Sequence, residues 1–267
     1  INGRRATRAR EPDHYFHYLE GVEETIAPDA ETVPARQFLK ARPQDIAVLR
    51  GMDAEALQQV EVLLFHKWDN TRRFIESVDW ETATLTIQGP AMKPWNPLAR
   101  HSGFVLENLP GGLDAPGEWY LDADGLLSYR PRPGERVEEM EAMAPVLDSL
   151  LRIRGAEDGS EPVQNLEFHG LAFQHAGWMP PRTGFGPVQA AAPIEGVALV
   201  DHARGIRFID CEIGHVDGYG LWFRRGCEES ELRRCSLHDL GAGGVRVGET
   251  AIRPQNTDRT RRITIDN

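Results

Sequence analysis

Lysine is nearly absent from these 267 residues. It occurs only at Lys40, Lys67 and Lys93, so almost all of the 30 basic residues are arginine, and the formal net charge is −11. A chain this acidic argues against a nucleic-acid partner or an anionic membrane surface, and more weakly against a polyanionic substrate. Cysteine is scarce too. Cys211, Cys227 and Cys235 are too few for a disulfide framework, and no Cys-x-x-Cys pair offers a metal site. No apolar run is long enough to span a bilayer. The chain starts at Ile1, without an initiator Met or a signal peptide. That start, with an unfinished repeat at the other end, reads as a piece of a longer chain, so missing targeting signals exclude little. Long runs of helical period are also lacking from the carboxy-terminal part, which disfavours helical repeats, and there is no Leu/Asn ladder of the leucine-rich kind.

What is present, from Leu166 onward, is one short unit repeated. Phe208-Ile209-Asp210-Cys211-Glu212-Ile213 lies 24 residues before Leu232-Arg233-Arg234-Cys235-Ser236-Leu237. The same offset carries Gly220-Leu221-Trp222-Phe223 forward onto Gly244-Val245-Arg246-Val247 and back onto Gly196-Val197-Ala198-Leu199. One unit earlier, Phe168-His169-Gly170-Leu171-Ala172-Phe173 stands 40 residues before Phe208 to Ile213, and the excess falls in a Gly-, Pro- and Ala-rich loop, Gly177 to Ala192. A second polar excursion covers Thr250 to Arg261, after which Ile263 to Asn267 begins a further copy. A period in the twenties, with short alternating apolar runs split by Gly and Asp, predicts a right-handed parallel β-helix over 149–267. Phe208, Cys211, Ile213 and Val216 point inward and stack on Leu232, Cys235, Leu237 and Leu240. Cys211 and Cys235 are then stacked small apolar side chains, and Cys227 falls outside that column.

Residues 1–148 read as an antiparallel, β-rich, sandwich-like domain. Val60–Trp68, Arg73–Val78, Thr82–Gln88 and His101–Leu109 are candidate strands, and Gly125–Pro131 returns as a hairpin. Asp53 caps a short helix to Gln59, and Pro34–Arg42 is expected to hold a helical turn. His14 and His17 lack a third ligand and read as part of an aromatic edge.

Gly117-Glu118-Trp119-Tyr120-Leu121-Asp122 with Leu127-Ser128-Tyr129-Arg130-Pro131 resembles a segment of large secreted bacterial β-helix proteins. So do Asn2-Gly3-Arg4-Arg5 near the start and Asp239-Leu240-Gly241-Ala242-Gly243-Gly244-Val245-Arg246-Val247-Gly248-Glu249 near the end. The group is similar to β-helical glycoside hydrolases with α-fucosidase and xylanase activities. The resemblance implies a sandwich-like domain inserted near the start of the helix, coils that continue beyond both ends of this chain and act as its partners, a polysaccharide or oligosaccharide substrate, paired catalytic Asp residues, and a secreted or periplasmic location.

In the repeat, Gly214-His215-Val216-Asp217-Gly218 stacks on His238-Asp239-Leu240-Gly241-Ala242, and Gln174 and His175 precede them by one coil. An acid, several imidazoles and an amide therefore share one ridge. Glycoside hydrolysis needs two carboxyl groups. Asp217 and Asp239, two residues and one coil apart, come to about 8 Å between Cα atoms by strand geometry. They are the catalytic candidates, with His215 and His238 tuning them. Asp before Gly is equally ordinary turn chemistry, and the imidazoles are equally surface turn residues. His175, Trp178, Tyr219, Trp222, Arg246 and Glu249 are the substrate-binding candidates; the aromatics offer flat faces for sugar rings, and Trp222 either faces outward or packs under a loop. Arg224-Arg225 and Arg233-Arg234 suit uronate carboxylates or, equally, solvated edges. No metal or cofactor is expected. A polysaccharide lyase and a non-catalytic carbohydrate-binding β-helix are the alternatives. The lyase suffers from the absence of any Lys after Lys93 and of an acidic Ca²⁺ cluster.

Overall fold

The computed structural model describes residues 1–26, 35–186 and 188–267. The chain divides into two units, Ile1–Ala142 with Pro180–Gln189, and Met143–Met179 with Ala190–Asn267. Both are mostly β, and among the described residues helix is limited to Ala54–Leu57 and a few 3-10 turns.

In the first unit, eight strands form an antiparallel sheet. Arg10–Glu11, Gly103–Glu107, Glu61–Phe65, Asn70–Asp79, Thr84–Gly89, Ala35–Lys40 and Gly21–Ile26 lie side by side in that order, and His17–Tyr18 also pairs with Gly103–Glu107. Asn70–Asp79 is the hinge of this sheet. Its first half pairs with Glu61–Phe65 and its second with Thr84–Gly89, with a slip of register between Ile75 and Ser77. Such a bulge bends a strand. Residues of both halves accordingly share one core, Val62, Leu64, Phe104 and Leu106 with Leu39, Ile75, Leu85 and Ile87.

The expected strands of this unit are present with shifted ends: Arg73–Val78 is extended to Asn70–Asp79, Thr82–Gln88 becomes Thr84–Gly89, and the others are shorter. The helix is present too: the Asp53 carboxylate accepts from the Ala56 N–H at 2.8 Å, satisfying a donor of the first turn. The helical turn expected over 34–42 is not. Residue 34 lies outside the described residues, and Ala35–Lys40 is a strand paired on both sides. Ala35, Gln37 and Leu39 are buried while Arg36 and Lys40 are exposed, a period of two that two neighbouring strands impose over local propensity. His14 is exposed, whereas His17 sits 3.1 Å from Glu11 and 5.5 Å from the Phe104 ring.

In the second unit the chain returns repeatedly to the same sheets, always parallel. One sheet stacks Leu151–Arg154, Gly196–Asp201, Tyr219–Phe223 and Val245–Val247. A second stacks Glu167–His169, Arg207–Ile209, Glu231–Arg233 and Thr264–Asp266. A third stacks Ala172–Ala176, Glu212–Val216 and Ser236–Leu240, and a short pair joins Val163–Gln164 to Ala203–Arg204. These parallel sheets fit a β-helix. Register follows the repeat: Phe168 pairs with Phe208 and Phe208 with Leu232, while Ile213 pairs with Leu237 and Val216 with Leu240. Phe208, Ile213 and Val216 are fully buried, and the Phe168 and Phe208 rings stack at 4.9 Å.

One register differs from expectation. Trp222 pairs with Leu199, not Ala198, so the spacing there is 23 residues. By Arg204 and Glu228 it is 24 again. The segment Arg224 to Cys227 therefore holds one residue more than the segment Asp201 to Ala203, and the turn is made at Gly226 with φ of 59°.

The corners between sheets share one backbone state. Asn165, Gly205, Glu229 and Arg262 all have positive φ and occupy equivalent positions in successive passes. Gly170, Asp210 and Arg234 form a second such column and His202 and Gly226 a third, while His175, His215 and Asp239 share the state inside their strands, one residue before the end. A left-handed residue turns the chain without a long loop, which is why Gly, Asn and Asp recur there. The three cysteines are free. The Cys211 N–H points at the Cys235 sulfur, 3.4 Å away. Cys227 occupies another column, beside Ala203, where burial pushes its thiol up to about 12.

Candidate functional site

The outward side chains of the third sheet form two polar ladders that each cross three passes of the chain. In the first, Gln174 donates to a Glu212 carboxylate oxygen at 2.6 Å, and His238 Nε2 lies 2.9 Å from that same oxygen. The His238 bond, then the Gln174 bond, holds the Glu212 carboxyl below the usual carboxylate range, so it is ionised at neutral pH. In the second, the His175 and His215 rings stack 5.3 Å apart and nearly parallel, and His215 Nδ1 lies 2.7 Å from Asp239 Oδ2. The ladders touch where His215 meets His238 edge to face, at 5.3 Å.

Local backbone explains this arrangement. His175, His215 and Asp239 are the residues at positive φ, so each strand kinks where its polar side chain leaves the sheet. Gly214 makes room for the cross-link between passes: a Cβ there would come within 2.6 Å of His238 Cε1. Without that gap the imidazole could not lean back to Glu212. Asp217 closes the strand, and one of its oxygens takes the Trp178 N–H at 3.3 Å. Its carbonyl is covered by Gly241 of the next pass, which confirms the two-residue offset from Asp239.

Tyr219, Trp222, Arg246 and Glu249 are placed elsewhere and are engaged. Trp222 does not face solvent. It is 6% exposed, its indole N–H donates to the Gly248 carbonyl at 2.8 Å, and the Arg246 guanidinium lies 3.9 Å over its ring. Arg246 also donates to the Ala192 carbonyl at 2.6 Å, and the Tyr219 hydroxyl donates to the Ala190 carbonyl at 2.5 Å. Glu249 is clasped by Arg253 through two bonds of 2.7 and 2.9 Å. Tyr219, Trp222 and Arg246 thus belong to the first sheet and pin the returning end of the 177–192 loop, while Trp178, half-buried beside Asp217, stays with the ridge. Of the arginine pairs, Arg224 is held by Asp201 and Arg234 by Asp210, each through two bonds.

Glu212, at the centre of the first ladder, is not among the candidates read from the sequence. It precedes the inward Ile213 and so points outward, but its diagonal contact with His238 does not follow from column spacing. Away from the ridge, the carboxylates of Asp13, Asp114 and Glu118 in the first unit lie within 4.8 Å of one another. Glu118 already accepts the Asp114 and Ala115 N–H groups at 3.1 and 2.9 Å, and burial raises its carboxyl.

No family model matches this chain, and no curated protein sequence does. A solved structure named glycoside hydrolase matches with a TM-score of 0.75 and 22% identity over 96% of this chain. The chain spans about half, 49%, of that structure's length. At this identity the likeness is one of fold.

Proposed function

We propose that this chain is part of a glycoside hydrolase whose second unit is a right-handed parallel β-helix, and that the two ladders are its catalytic ridge. The observation that carries the reading is the short His215–Asp239 bond within a three-pass array of imidazole, amide and carboxylate. A carboxylate that accepts an imidazole N–H is held in one orientation. Asp239 is therefore the base that takes a proton from water, and Asp217 is the acid that protonates the departing sugar oxygen. The ~8 Å Cα spacing expected from strand geometry suits a water between them and hence inversion. Glu212, ionised and crosslinked to His238, fixes the floor of the ridge. Trp178, whose N–H binds Asp217, offers the ring face for a sugar. The substrate is a plant or microbial polysaccharide or oligosaccharide, and the enzyme works in a secreted or periplasmic setting.

The test is a glycan-library digest, read by mass spectrometry, on the longer protein that the sequence analysis expects. Asp239→Asn and Asp217→Asn are each expected to lower turnover by at least 100-fold with the fold retained. Undiminished turnover in either variant rejects that assignment. Products that absorb in the near ultraviolet identify a lyase instead, and retention of glycan without any product identifies a binding module.

A further inference from the structure

A recess in the first unit brings together a cation without a counter-ion and an acceptor without a donor among the described residues. Arg73 is 5% exposed and lines this recess. Its Nη1 donates to the Arg72 carbonyl at 3.1 Å, its Nε has no partner, and no carboxylate among the described residues pairs with it. Burial lowers its pKa only to about 10, so it remains a cation at neutral pH. The place is built for it. The stem runs between Gly89 and Gly184, where any Cβ would collide with it. Neighbouring Arg72, by contrast, is fully matched, bonded to Glu61 at 3.1 Å and to Glu107 at 2.6 Å. A buried charge without a counter-ion is costly, and none is supplied among the described residues.

Gln37 lines the same recess and is 2% exposed. Its amide nitrogen is fixed by the Glu24 carboxylate at 2.7 Å and the Pro90 carbonyl at 3.3 Å. Its Oε1 is left without a donor. Leu64, Ile87, Met92 and Leu98 give it apolar walls, His66, Thr71 and Lys93 add polar ones, and the cavity is small, about 70 Å³. Apolar walls with a few fixed polar groups are the usual make-up of a small-molecule site.

We infer that this recess is a separate binding site for a small carboxylate that carries a neighbouring hydroxyl, the chemistry of a sugar acid. The carboxylate neutralises Arg73, whose planar fork matches it. The hydroxyl donates to Gln37 Oε1, and the apolar walls take a ring face. A neutral sugar leaves the Arg73 charge uncompensated, and an inorganic anion leaves the Gln37 acceptor and the walls unused. This inference stands on the first unit alone, so its failure leaves the ridge proposal untouched.

The experiment is titration calorimetry on the whole chain with glucuronate, glucose and sulfate as probes. Glucuronate binds, glucose does not, and sulfate binds at least tenfold more weakly. Arg73→Met abolishes glucuronate binding, and its unliganded melting temperature stays level or rises, because an unmatched buried cation has been removed. Gln37→Leu, the second variant, weakens glucuronate by several-fold and leaves sulfate unchanged. Glucose binding equal to glucuronate, no binding by any probe, or undiminished glucuronate binding in Arg73→Met or Gln37→Leu would overturn the inference.

Discussion

Gly214 decides more of the ridge than its missing side chain suggests. It sits opposite His238 in the next pass, and the imidazole fills the space where a Cβ would be. In a strand, Gly to Ala ordinarily gains about 0.5–1 kcal/mol. Here the collision reverses the sign. Gly214→Ala should push His238 off Glu212, lower stability in chemical melts by roughly 1 kcal/mol, and let the Glu212 carboxyl return toward its ordinary range. Carboxyl NMR titration measures that return, and a Glu212 titration unmoved from the parent's contradicts the account. At this scale the sequence placed His175, His215, His238, Asp217 and Asp239 on one surface from spacing alone. It did not reveal Glu212, because a diagonal contact across a glycine has no signature in a column alignment. Nor did it reveal that Trp222 lies under Arg246, since an outward strand position says nothing about what a neighbouring pass lays over it.

At the scale of elements, the stacked unit owes its order to one buried column. Phe168, Phe208 and Leu232 succeed one another in register, and Phe208 also meets Phe173 and Phe223 edge-on at 6.2 and 6.3 Å. Phe208→Ala removes the central member and should cost about 3–5 kcal/mol in urea melts; a loss below 1 kcal/mol would show that the passes above and below close over the gap. This column was legible because like residues recur every 24 positions in Phe208 and Leu232, Cys211 and Cys235. The 23-residue step at Trp222 was not, because the compensating residue is hidden in the Arg224 to Cys227 turn, where no apolar pattern marks the register. In the first unit the strand Ala35–Lys40 was misread for a related reason: six residues with one alternation are too few to outweigh helix-favouring composition until pairing partners are known.

At the scale of the whole molecule, acidity is the governing property. The chain carries 41 carboxylic side chains against 30 Arg and Lys, yet several of its carboxylates are held below their ordinary range. The Tyr129 hydroxyl and the Arg132 backbone lower Glu135 to about 2, and Asp210, Glu229 and Asp258 are lowered mainly by bonds from Arg234, Arg204 and Arg225. A carboxylate depressed in the folded state contributes stability that is present above its unfolded value, near 4, and is lost as pH falls through the folded one. Thermal melts should therefore hold a plateau down to about pH 4 and decline steeply toward pH 2. Glu135→Gln should shallow the lower part of that decline without moving the plateau's onset; an unchanged acid limb would assign the loss to other groups. The division expected at residue 148 rests on where the repeat begins, and nothing in a Gly- and Pro-rich loop announces that Pro180–Gln189 belongs to the first unit.

The left-handed kink within the strands at His175, His215 and Asp239 has a further consequence. Each of these side-chain-bearing residues holds a conformation that costs on the order of 1–2 kcal/mol relative to glycine. Laboratory selection for heat resistance alone would thus be expected to recruit glycine at these three positions, hardening the scaffold while erasing its imidazoles and acid. Durability and chemistry pull this ridge in opposite directions.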